Sequence, residues 1–238
     1  MKYLVFQHID VEHPGVFRDF WTRDGISWDA VELDEGQAIP DSFEEYDALV
    51  VMGGPMDVWQ TESHPWLKPE MTAIRRWVTG GHGPFLGICL GHQLLAASLD
   101  GVVGTMDTPE IGFGAVHLTS EADNDPLMAG LSNPADCFQW HGAEVKSMPQ
   151  GSTLLASNTA SAVQAFRFGE SAYGFQFHVE ITDKTVPEWA DIPEYLASLE
   201  QIMGEGAADR LQDELCDRLS DFNETARVLD TNFRAIVE

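Results

Sequence analysis

Gly87-Ile88-Cys89-Leu90-Gly91-His92-Gln93 follows the apolar run Pro84-Phe85-Leu86 and precedes Leu94-Leu95-Ala96-Ala97-Ser98-Leu99. The first flank reads as a buried strand and the second as a helix, so the seven residues form a sharp strand-to-helix corner. Glycines two positions before and two after Cys89 relieve the crowding of such a corner and let a side chain stand above a sheet. The corner predicts strained backbone at Cys89. Free N–H groups and the positive end of the helix predict a lowered thiol pKa, which makes Cys89 the candidate nucleophile. A buried cysteine at a glycine-rich packing point is the competing reading.

Around that corner the chain reads as an α/β protein with a mainly parallel sheet. Tyr3–Phe6, Trp28–Leu33 and Ala48–Met52 are predicted strands, with a helix from Val16 stopped at Gly25 and another from Met71 ending at Gly80-Gly81. Sites in such sheets gather at the carboxyl ends of the strands. Gly53-Gly54-Pro55 lies at one of these ends. There the bare glycine backbone can approach a ligand, so Gly54 and Leu90 are candidate N–H donors to a developing oxyanion, with a plain turn as the alternative.

Between Val102 and Phe177 the pattern changes to short strands broken by Gly, Pro, Asn and Asp, predicting a small antiparallel layer. Within it Phe138-Gln139-Trp140-His141-Gly142 suits either a substrate wall or an aromatic core plug. Phe177-His178-Val179-Glu180 carries the second chemical signal. In extended backbone residues i and i+2 share a side, so Glu180 can orient one nitrogen of His178 while the other faces Cys89. Nucleophile, base and orienter are then all present. His92 and His141 are rival bases, whereas His8, His13, His64, His82 and His117 read as solvated or structural. From Pro187 onward apolar residues recur at helical intervals, with Cys216 beside the stripe as a packing residue.

Composition narrows the function. Thirty-nine acids against thirteen bases give a formal charge of −26, which repels nucleic acid and anionic membrane surfaces. No signal peptide or spanning segment is read, and a cytoplasmic location is expected. Three scattered cysteines, Cys89, Cys137 and Cys216, argue against a disulfide framework. No phosphate loop follows the glycines at 80–83, and His178-x-Glu180 lacks further ligands at metal-like spacing, so neither cofactor nor metal is expected. The sparse lysine fits either a salt-adapted protein or an ordinary acidic surface.

In order and separation, Gly53-Gly54-Pro55, the Cys89 motif and Phe177-His178-Val179-Glu180 resemble the class I, triad-type glutamine amidotransferases, and the free-standing GMP-synthase-like members above all. Glu110-Ile111-Gly112-Phe113, Gln139-Trp140-His141 and the helical tail point to the latter. The resemblance implies a flavodoxin-like sheet within one domain over 1–238, its core at about 1–183 and its helical extension at about 184–238. It implies a triad of Cys89, His178 and Glu180 and an oxyanion hole from Gly54 and Leu90. Gly53, Gln93, Gln139, Trp140, His141, Gly142 and Ala143 would lie near the glutamine. Where the family usually has proline between the His and the Glu, this chain has Val179. The implied activity is release of ammonia from glutamine for a separate acceptor enzyme, since no synthetase domain follows the tail. A stand-alone γ-glutamyl peptidase and a non-catalytic binding module of the same fold are the alternatives.

Overall fold

The structure is a computed structural model that describes residues 1–238. The first half is a repeating strand and helix layout: β1 (Lys2–Gln7), α1 (Phe17–Asp24), β2 (Ser27–Glu32), β3 (Ala48–Val51), α2 (Leu67–Gly80), β4 (Phe85–Ile88) and α3 (Leu90–Ser98). It is followed by β5 (Val102–Leu118), β6 (Ala135–Ser147), β7 (Ser152–Ser157), β8 (Ala165–Phe168) and β9 (Ala172–Phe175), and then by α4 (Thr185–Ala190), α5 (Pro193–Met203) and α6 (Ala207–Val237).

The strands lie in the order β2-β1-β3-β4-β9-β8-β7-β5-β6. Those from β2 to β9 are parallel, and the remainder pair antiparallel. The α/β fold with a flavodoxin-like parallel centre is thus the one expected. The order reverses at β1 and β3, the position where a crevice opens at the carboxyl end of such a sheet.

Period-two alternation divides the buried strands between two cores. Tyr3 and Val5 on β1 face α1 and α6 together with Trp21, Leu229 and Phe233, whereas Leu4 and Phe6 face α2 and α3 with Trp77 and Leu94. Each fully buried side chain of this size contributes ~1.5–3 kcal/mol. A third cluster joins Phe138 and Trp140 of β6 to Trp189, Leu199 and Leu211 of the last three helices.

The second half departs from its sequence reading. The predicted short strand at Ala115–Leu118 is the end of a long one, β5, and the aromatic stretch Phe138–Gly142, read as a wall or core plug, lies within a second long strand, β6, paired with it as a ribbon. Irregular register between Thr105 and Glu110 accommodates Pro109, which cannot donate to the ladder, so the apolar pattern breaks without ending the strand. The last helical stretch is one 31-residue helix, α6, since neither Gly nor Pro interrupts Ala207–Val237. Cys216 is exposed on it and not packed against the stripe.

Candidate active site

Cys89 occupies the corner between β4 and α3 with φ 52° and ψ −103°, the strained backbone that the motif predicts. Both flanking glycines are sterically required. A Cβ on Gly87 would lie 2.4 Å from the carbonyl oxygen of Gly91, and one on Gly91 would lie 2.1 Å from that of Val51. The corner is pinned by the N–H of Cys89 donating to Phe175 (2.8 Å) and that of Gly91 donating to Met52 (3.1 Å). Leu90 opens the helix, so its N–H has no intrahelical acceptor.

β9 is the parallel neighbour of β4, with Phe175 opposite Ile88, so the segment after β9 arrives beside Cys89. His178 in that segment exchanges two backbone hydrogen bonds with Phe138 of β6, at 2.8 and 3.1 Å. Its Nδ1–H donates to Oε1 of Glu180 at 2.6 Å, while the N–H of Val179 holds the other carboxylate oxygen at 3.0 Å. The ring stands edge-on to Trp189, 4.8 Å between centroids. Nε2 has no hydrogen-bond partner, and Cys89 is within electrostatic reach of the ring. The residue pair therefore meets although neither member is in a regular strand.

Burial disfavours the imidazolium of His178, but the adjoining Glu180 carboxylate, helped by Cys89, more than reverses this and holds the ring well above its ordinary pKa. Burial also raises the Cys89 thiol, with His178 acting against it. The lowering expected from the helix start alone is overcome, because Cys89 is 4 % exposed and burial disfavours the thiolate. His178 is the titratable group placed to receive a proton from the thiol.

A cleft of about 280 Å³ opens over Cys89. Gly54, Leu90 and Gln93 form its floor, Trp140, His141, Gly142 and Ala143 of β6 one wall, and Glu194, Tyr195 and Ser198 of α5 another. Two expected lining residues stand behind it. The carbonyl of Gly53 turns to His8, and Gln139 is buried with its amide bonded to Gln164 (3.1 Å) and its Oε1 accepting from His141 (3.1 Å). Gln93 props the β6 wall by donating to the Ala143 carbonyl at 3.1 Å.

Neither rival base is suitably placed. His92 is fully buried behind the corner, where desolvation lowers its pKa to about 3. His141 faces the cleft, but its nitrogens are engaged by the Ala143 carbonyl (2.9 Å), Gln139 and the Glu110 carboxylate (3.2 Å). No group of three or more His, Cys, Asp or Glu side chains could hold a metal ion, and no helix is long and apolar enough to cross a membrane.

Sequence reading missed Glu12 and Tyr195. Glu12 is 2 % exposed, accepts a hydrogen bond from the Tyr195 hydroxyl, and is attracted electrostatically to His178. Burial nonetheless keeps its carboxyl above the ordinary value. The available signal was positional: polar residues directly after the apolar β1 run, at the carboxyl edge where sites gather.

A flavodoxin-like sheet bearing a cysteine corner, with a glycine loop and a His–Glu pair at its carboxyl edge, defines the glutamine amidotransferase class. The family model for class-I glutamine amidotransferases matches residues 23–188, and the chain belongs to that family. It is 32% identical over 185 residues to the glutamine amidotransferase-like protein YfeJ of Salmonella typhimurium, covering 75% of each. Against the glutamine-hydrolyzing GMP synthase subunit of Sulfolobus acidocaldarius the identity is 32% over 157 residues, 66% of this chain and 78% of the relative. A glutamine amidotransferase from Thermotoga maritima superimposes with a TM-score of 0.87 at 28% identity, covering 100% of this chain and 98% of its own.

Proposed function

We propose that the chain hydrolyses the γ-amide of glutamine through a thioester on Cys89 and delivers ammonia to a separate acceptor enzyme. The observation that carries this reading is the convergence of Cys89 with the His178–Glu180 pair, 2.6 Å apart, beneath a cleft floored by Gly54 and Leu90.

The thiol proton of Cys89 passes to Nε2 of His178, and the thiolate attacks the γ-carbonyl carbon. The N–H groups of Gly54 and Leu90 receive the oxyanion. Collapse breaks the C–N bond, His178 returns its proton to the leaving nitrogen, and a thioester remains. His178 then takes a proton from water as it attacks, glutamate leaves, and the sulfur is reprotonated. Glu180 keeps Nδ1 protonated and stabilises the imidazolium at both steps.

Asp57 and Glu194 line the cleft whereas no Lys or Arg does, which favours a substrate presenting an ammonium group, such as the α-amino end of glutamine. A second reading has support in the far wall. Glu194, Tyr195 and Ser198 lie beyond residue 188, where the family match ends, so this wall can read a leaving group larger than ammonia. On that reading the chain is a γ-glutamyl peptidase.

Glutamate release from glutamine and from γ-glutamyl peptides, with Cys89→Ser as control, separates the readings. Glutamine turnover that rises on adding an acceptor synthetase supports ammonia delivery. Peptide turnover well above that of glutamine selects the peptidase, and the absence of any Cys89-dependent release overturns both.

A further inference from the structure

His8 follows β1, is fully buried, and uses both ring nitrogens on groups that belong to different parts of the chain. Nδ1 lies 2.6 Å from the carbonyl oxygen of Gly53, and Nε2 lies 2.9 Å from Oε1 of Glu70 in α2. A carbonyl can only accept, so Nδ1 carries a hydrogen whatever the charge of the ring. The ring is also stacked on Trp66, 5.5 Å between centroids and 20° between planes. A histidine this constrained cannot rotate, and nothing in the thioester chemistry uses it.

A trans peptide unit is planar, with its C=O and N–H pointing in opposite directions. The peptide joining Gly53 and Gly54 is trans, so anchoring the Gly53 oxygen to His8 turns the Gly54 N–H the other way. That N–H has no partner in the protein, and Gly54 lines the cleft beside Leu90. A Cβ on Gly54 would come within 3.0 Å of both His8 and Leu90, so the loop is gripped between them. Resting on the amidotransferase reading above, we infer that His8, held by Glu70, is a positioning residue that aims the Gly54 N–H at the oxyanion.

The ion-pair partner reinforces the grip. Burial alone disfavours a charged ring, yet Glu70 and the Gly53 carbonyl together raise the His8 pKa. The pair is therefore a fixed support for the loop. Its effect falls on the transition state, because the substrate carbonyl needs the N–H less than the oxyanion does.

Two polar substitutions divide the functions of the two nitrogens. In His8→Asn the amide nitrogen replaces Nδ1 and keeps the donor to Gly53. In His8→Gln the amide reaches the place of Nε2, keeping Glu70 and losing the donor to Gly53. Misplacing one oxyanion donor predicts that kcat of His8→Gln falls on the order of 10–100-fold with KM within about threefold, while His8→Asn stays within about threefold of wild type. Crystal structures of both variants are expected to show a rotated Gly53–Gly54 peptide in His8→Gln alone.

Equal impairment of both folded variants, or a wild-type peptide orientation in His8→Gln, overturns the inference. If one variant fails to fold, the peptide orientation in the other still decides it. A wild-type protein without Cys89-dependent amide hydrolysis refutes the amidotransferase reading instead, and the two crystal structures then judge the support of the loop on their own.

Discussion

The parallel half of the sheet and the β5–β6 ribbon are built on opposite principles. β1, β3, β4 and β9 are four to six residues long and almost wholly buried, and Cys89, Gly54 and His178 follow directly from their ends. The ribbon strands are 17 and 13 residues long and unevenly covered: β5 is buried at only three positions, whereas β6 is buried throughout Cys137–His141. Reacting atoms need placement to a fraction of an ångström, which close-packed short strands provide. A wall that meets the substrate needs surface, which a ribbon braced by α5 provides, with Trp140 donating to Ser198 at 3.3 Å.

The contrast predicts that damage to the parallel edge removes turnover, whereas damage to the wall alters recognition. Cys89→Ser is expected to lower glutamate release on the order of 10⁵-fold or more with an unchanged unfolding temperature. A residual rate near wild type would move the chemistry elsewhere. Glu180→Gln keeps an acceptor for Nδ1 but removes the charge that sustains His178, and kcat should fall on the order of 10² to 10⁴-fold in steady-state assays.

Tyr195→Phe tests the wall. The cleft keeps its shape but Glu12 loses a donor, so KM is expected to rise about 3–10-fold, with kcat changing less and stability falling by about 1–3 kcal/mol in urea titrations. A loss in kcat comparable to that of Glu180→Gln would mean that α5 belongs to the catalytic edge, and the division between the halves would fail.

The smallest effect is reserved for Asp230, on α6 over the parallel half and far from the cleft. Its carboxylate accepts from Trp21 at 2.9 Å, and burial raises its pKa from 3.8 to about 6. The unfolded chain releases that proton near its ordinary value and the folded chain near 6, so stability falls as pH rises between them and is level above. The cost is at most about 3 kcal/mol at neutral pH. Asp230→Asn should therefore raise the melting temperature by several degrees at pH 7 and by only a small fraction of that near pH 4, with turnover unchanged. A stability gain that persisted in full at pH 4 would place its cause elsewhere than in the carboxylate charge.

The same division explains what could be read in the sequence. Cys89 was legible because the two glycines are local necessities, each forced by a carbonyl within 2.4 Å of the missing Cβ. The His178–Glu180 spacing was legible because the period of extended backbone brings the two side chains together even outside a ladder. Glu12, Tyr195, His8 and Glu70 were hidden, since each is an ordinary polar residue until a distant partner defines it. The length of β5 was hidden as well, because Gly104, Pro109 and Gly112 signal breaks, yet a register irregularity absorbs Pro109 and both glycines stay paired with β6.

Glu12 and Tyr195 are 183 positions apart, yet they share one buried hydrogen bond behind the α5 wall of the cleft. During synthesis, Cys89, His178 and Glu180 all emerge before the residue that completes the wall. A nascent chain paused after β9 would hold its reactive groups over an open, wet crevice, and only the arrival of α5 would seal it. The order of translation thus places recognition after chemistry, with one tyrosine as the closing stitch.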